Sequence, residues 1–87
     1  MTYELEKKLK DAGFPQEGYQ AHCYMTLNES GCYASPTLSE LIDACGKSFD
    51  YIKLLPSGKW HGRAGTYVKD AETAEELVAN LWLELNK

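Results

Sequence analysis

At 87 residues the chain has the length of one domain, residues 1–87, and a domain of that size buries only about 60% of its extended-chain surface. Apolar residues at 44% and charged residues at 25% exclude a disordered chain, and no apolar run approaches the roughly 20 residues of a membrane-spanning helix. The formal net charge of −4, nine Lys and Arg against thirteen Asp and Glu, repels polyanions and argues against general nucleic-acid binding.

The first helix is expected from Tyr3 to Ala12, with Thr2 as N-cap and Leu5, Leu9 and Ala12 at helical spacing. Gly13 then supplies a left-handed residue, Phe14 folds back on Leu9, and Pro15 prevents continuation. From Tyr19 to Leu27 the residues alternate. Ala21, Cys23, Met25 and Leu27 form an apolar face expected to be buried, and Gln20, His22, Tyr24 and Thr26 form the polar face. Asn28-Glu29-Ser30-Gly31 reads as a turn, and Cys32-Tyr33-Ala34 as a short return strand.

Thr37-Leu38-Ser39-Glu40 and Thr73-Ala74-Glu75-Glu76 are two copies of the capping box, in which a Thr hydroxyl and a Glu carboxylate satisfy exposed N–H groups at a helix start. They place a second helix over Leu38 to Cys45, stopped by Gly46, and a last helix over Ala74 to Leu85 with Leu77, Val78, Leu81, Trp82 and Leu85 on its buried stripe. Between them, Phe49 to Leu55 reads as a strand, and Pro56-Ser57-Gly58 turns the chain back through Trp60. Gly62 and Gly65 interrupt the returning strand, as a bulge or a close backbone approach would require. The order helix, hairpin, helix, hairpin, helix predicts an α+β fold, α-β-β-α-β-β-α, with helices on one face of a small antiparallel sheet.

Three cysteines, Cys23, Cys32 and Cys45, are odd in number and share no CxxC spacing. Reduced thiols in a cytoplasm are therefore expected, and the start of the chain lacks the charged-then-apolar order of a signal peptide. No metal ligand set, cofactor motif or catalytic constellation is evident, so neither metal nor cofactor is expected. A thiol- or His-dependent hydrolase built on His22 and Cys32 is the enzyme alternative.

One tract concentrates positive charge. No acidic residue falls between Asp50 and Asp70, whereas Lys53, Lys59, His61, Arg63 and Lys69 do, interleaved with Tyr51, Trp60 and Tyr67. Cations neutralise phosphate and aromatic faces stack on bases, so Lys53, Lys59, Trp60, His61, Arg63 and Tyr67 are the candidate site for a small phosphorylated ligand. Trp82 and Leu83 lie about 100° apart on the last helix. They cannot share one buried stripe, and they are the candidate interface of a homodimer.

The segments LEKKLKDAGFPQ, PTLSELIDACG and TAEELVANLWLELNK resemble small uncharacterised proteins encoded by bacteriophages and prophages. That resemblance implies an origin and carries no functional residue. A weaker likeness is to HicB-type antitoxins, in which a Gly-Cys strand leads into a Thr-x-x-Glu helix, as Gly31-Cys32 precedes Thr37-Leu38-Ser39-Glu40 here. This chain has Ser30 before Gly31 and Leu at position 41 where that family has Pro and Ala. The phage-like segments, the compact size, the acidic surface and the lack of a catalytic constellation together lead us to expect a non-enzymatic phage accessory protein in an infected bacterial cytoplasm, binding a host protein or sequestering a small nucleotide signal of host defence, with a HicB-like antitoxin component as a further alternative.

Overall fold

The computed structural model describes residues 2–25, 27 and 30–87. It is α+β, with three helices and two small antiparallel sheets, one of two strands and one of three. The chain divides into two compact units, Met1–Pro36 and Thr37–Lys87, and each is described by itself.

The first unit opens with α1 (Tyr3–Asp11), whose start is capped by the Thr2 hydroxyl accepting from the Leu5 N–H at 3.3 Å. Its end is the expected stop. The Gly13 N–H donates to Lys10 O at 3.0 Å and the Phe14 N–H to Leu9 O at 2.9 Å, with Gly13 at φ +94°. This paired pattern satisfies carbonyls that the helix leaves open. Strands β1 (Ala21–Met25) and β2 (Ser30–Ala34) pair antiparallel, Tyr24 opposite Gly31 and Cys23 opposite Cys32.

Three expectations for this hairpin are corrected. Ser30 and Gly31 belong to β2 and not to a turn, while Thr26, Asn28 and Glu29 lie outside the described residues. The face expected to be buried is outward: Ala21 and Cys23 are exposed, Met25 keeps 88% of its surface and Leu27 all of it. From the polar row, the half-buried Tyr24 and the still exposed His22 reach back to α1, because Glu6 is fully buried and needs the hydrogen-bonding partners that they supply. Finally, Cys23 and Cys32 are joined in a disulfide and are not free thiols. Direct cross-strand partners approach within about 4.5–5.5 Å, so the pairing register brings the two sulfurs together. Cys45 is free and buried.

The second unit contains α2 (Leu38–Cys45), a 3-10 turn at Gly46–Ser48, strands β3 (Phe49–Leu54), β4 (Trp60–Ala64) and β5 (Tyr67–Ala71), and α3 (Ala74–Leu85). The capping box at Thr37 and Glu40 is formed in both directions, at 3.3 and 2.8 Å. At α3 the Thr73 hydroxyl accepts from the Glu76 N–H at 3.2 Å. The strands pair in the order β3-β4-β5, one strand more than the two hairpins expected.

The two interrupting glycines explain the difference. Gly65, at φ +62°, and Thr66 form a two-residue turn that sets Ala64 opposite Tyr67, so the chain reverses where one strand was expected to continue. Gly62 stands where a Cβ would meet Tyr51 O at 2.7 Å, Ile52 Cγ2 at 2.9 Å and Leu77 Cδ2 at 3.0 Å. It is the close approach that a glycine within a strand signals. Beneath it, Ala64, Ala71, Leu77 and Leu81 form a buried cluster joined by Ile52, Trp60 and Leu85.

Candidate functional site

Alternation in β4 decides which tract residues can act together. Trp60 and Ala64 face the α3 cluster, so His61 and Arg63 point to the opposite, open face of the sheet. Residues directly opposite in an antiparallel pair share a face. Tyr51 is opposite Arg63, Lys53 opposite His61, His61 opposite Asp70 and Arg63 opposite Val68. Tyr51, Lys53, His61, Arg63, Val68 and Asp70 thus form one surface.

The candidate residues divide accordingly. Lys53, His61 and Arg63 come together on the open face. Trp60 packs against the α3 cluster, and Tyr67, opposite the fully buried Ala64, lies on that side too. Lys59 occupies the β3–β4 turn with its Nζ 3.8 Å from Glu72. Of the pair expected at an interface, Trp82 retains only 6% of its surface, while Leu83 is half-buried. Trp82 therefore leaves little area for a second copy.

Folding also supplies the acids that the tract lacks in sequence. An irregularity between Phe49 and Tyr51 carries Asp50 to 3.8 Å from the Arg63 Nε, which donates at 3.0 Å to Gly65 O. Asp70 Oδ1 lies 2.5 Å from His61 Nδ1, and Glu84 binds Lys69 at 3.1 Å. Lys87 first and Lys69 second hold the Glu84 carboxyl below its usual range. Lys53 Nζ stands 5.8 Å from the Tyr51 ring centre. Internal carboxylates thus offset most of the local positive field.

At the centre of the open face is a hydrogen-bonded line drawn from three strands. Asp70 of β5 takes the Nδ1 proton of His61 as its hydrogen bond, and in the neutral ring this leaves Nε2, 3.2 Å from the Tyr51 hydroxyl of β3, free to accept from it. In the sequence Asp70 is only the border of the basic tract and Tyr51 only an aromatic within it, and neither is among the candidate site residues. The signal was Gly65-Thr66: read as a two-residue turn, it places Asp70 opposite His61 by counting.

The first unit holds the same three kinds of group, a carboxylate, an imidazole and a phenol, wired differently. The Glu6 carboxylate is central, accepting from the Tyr24 hydroxyl at 2.6 Å on one oxygen and from His22 Nδ1 at 2.8 Å on the other. Donation to Glu6 is the main reason the Tyr24 phenol is pushed up to about 12, with burial and the carboxylate charge adding to it. Around it, Tyr3 stacks at 4.8 Å from Tyr24 and 5.5 Å from Tyr33. With Cys32 bonded to Cys23, its sulfur is not a thiolate for His22 to activate.

Among the described residues no group of three or more His, Cys, Asp or Glu side chains is placed to hold a metal ion, and no helix is long and apolar enough to cross a membrane. Comparison with protein-family models, with characterised proteins and with solved structures finds no match to this chain.

Proposed function

We propose that the chain is a non-enzymatic binding protein, that its contact surface is the open face of the three-stranded sheet, and that its partner is another protein. The observation that carries this reading is the row Tyr51, His61 and Arg63 on a face that no helix of this unit covers. Tyr and Arg are the side chains on which protein interfaces concentrate their binding energy. A small ligand is normally held in a concave pocket, whereas a pleated face with cations matched by Asp50 and Asp70 suits a surface of mixed charge. The segments resembling phage-encoded proteins favour a bacterial host protein as that partner, and a small phosphorylated ligand is the second reading.

The test compares the native chain with a Tyr51→Ala, Arg63→Ala double variant, each immobilised against a bacterial lysate, with the retained protein then purified and its affinity measured directly. The expected result is one protein bound by the native chain and roughly seven-hundredfold weaker on the variant, as the loss of two interface anchors of about 2 kcal/mol each implies. Equal binding by both chains refutes the surface. Calorimetric binding of a mono-, di- or cyclic nucleotide that needs Lys53 and Arg63 favours the phosphorylated ligand.

A further inference from the structure

The line Tyr51–His61–Asp70 has a property that binding does not use. A nucleophile is activated when its proton faces a base within hydrogen-bonding reach and a third group orients that base. The Tyr51 hydroxyl lies 3.2 Å from His61 Nε2, and Asp70 holds His61 through Nδ1 at 2.5 Å. Each group stands on a different strand of one sheet, so the pairing register fixes the line without a flexible loop. Arg63 lies directly opposite Tyr51, and Lys53 Nζ is 5.8 Å from its ring centre. An electrophile bearing phosphoryl oxygens would meet both cations there.

We infer that Tyr51 is a nucleophilic acceptor for phosphoryl groups, with His61 as its base and Asp70 as the residue that positions His61. In the transfer, the Tyr51 oxygen attacks phosphorus, the phosphorus–leaving-group bond breaks with its electron pair going to the leaving group, and the phenol proton passes to His61 Nε2. The product is an O-phosphoryl tyrosine beside Arg63 and Lys53. Tyr24 is the internal contrast: its proton is held by the buried Glu6 carboxylate, and its phenol ionises only at about 12. The two wirings separate a reactive phenol from an inert one within a chain of six tyrosines.

A dialkyl phosphorofluoridate tests this on the whole chain, since attack releases fluoride and leaves a stable adduct whose position peptide mass spectrometry reads. The inference does not depend on a binding partner: failure to bind would leave the labelling unchanged, and an unlabelled Tyr51 would leave the binding surface unchanged. The expected result is labelling at Tyr51 ahead of the other tyrosines, with no adduct at Tyr24 at neutral pH. His61→Gln should slow labelling about a hundredfold, the scale of a lost general base. Asp70→Asn should slow it less and alter its pH profile, which a merely structural role would not do. Labelling spread evenly over Tyr51 and Tyr67, or a Tyr51 rate unchanged in His61→Gln, overturns the inference. If His61→Gln fails to fold, the native pH profile decides: a rate falling as the imidazole is protonated supports the base, and a rate that only follows phenol ionisation overturns it.

Discussion

Gly62 is the position where one added methyl group should do most damage. In Gly62→Ala the new Cβ meets a backbone oxygen, Tyr51 O, at 2.7 Å, with Ile52 Cγ2 at 2.9 Å and Leu77 Cδ2 at 3.0 Å. The backbone oxygen cannot rotate away, and Leu77 is fully buried in the cluster under the sheet. The strain therefore belongs at the upper end of overpacking, about 3 kcal/mol. Alanine also restricts the unfolded chain, which returns about 0.4–1 kcal/mol, leaving a net loss of about 2 kcal/mol. For a chain of this length that lowers the melting temperature by about 8–16 °C, measurable by circular dichroism. Gly31→Ala is the control, because its Cβ would meet nothing nearer than Tyr33 Oη at 3.5 Å, and it should stay within about 1 kcal/mol of the native chain. A Gly62→Ala melt within about 2 °C of native would refute the argument from close approach. It would also leave the glycine opposite Ile52 without a steric reason.

Reducing the Cys23–Cys32 disulfide opens a loop of nine residues' separation, and chain entropy puts the loss at about 2–3 kcal/mol; urea denaturation with and without reductant should show it, and superimposed curves would count against the bond. Thiol titration should find no fast-reacting group in the native chain, because burial pushes Cys45 up to about 11, one thiol after unfolding without reductant, and three after unfolding with it. Tyr24→Phe leaves the fully buried Glu6 carboxylate one donor short, a loss of about 1–3 kcal/mol for a buried acceptor, with little effect expected from Tyr67→Phe. Because the Tyr24 phenol is raised to about 12 in the fold against about 10 unfolded, its contribution is fully present below pH 10 and is lost as pH rises toward 12; ultraviolet titration should show one late-ionising tyrosine, absent in Glu6→Ala.

The elements that local chemistry controls were legible in the sequence. Thr2, Thr37 and Thr73 cap the helices where their hydroxyls predict, and Gly13 ends α1 with the expected pair of hydrogen bonds. What sequence spacing could not supply was the register. Gly65 was visible as an interruption, but only as a two-residue turn does it create β5 and bring Asp70 to His61. Treating Lys53, Lys59, Trp60, His61, Arg63 and Tyr67 as one site assumed that nearness along the chain means nearness on a face. Strand alternation puts Trp60 and Tyr67 on the opposite side of the sheet.

The β1–β2 hairpin shows how a single residue can reverse a reading of polarity. Alternation marks the strand correctly and points its apolar row inward, where burying Met25 and Leu27 would be favourable by about 1.5–3 kcal/mol each. Leaving the Glu6 carboxylate buried without partners costs more than that. Bonds from His22 and Tyr24 satisfy both of its oxygens, while the facing Tyr3 and Tyr33 rings supply apolar contact on the same side. The other face is then left with Met25, Leu27 and the disulfide. Its exposure follows from the demands of one acid on α1, which nothing in the local sequence sets apart from Glu4 of the same turn. The same reasoning separates the two carboxylate–His–Tyr groups. The buried Glu6 carboxylate accepts the phenol hydrogen bond directly and fixes structure, whereas Asp70, on the open face of its sheet, bonds the imidazole and leaves the Tyr51 hydroxyl facing the ring's other nitrogen.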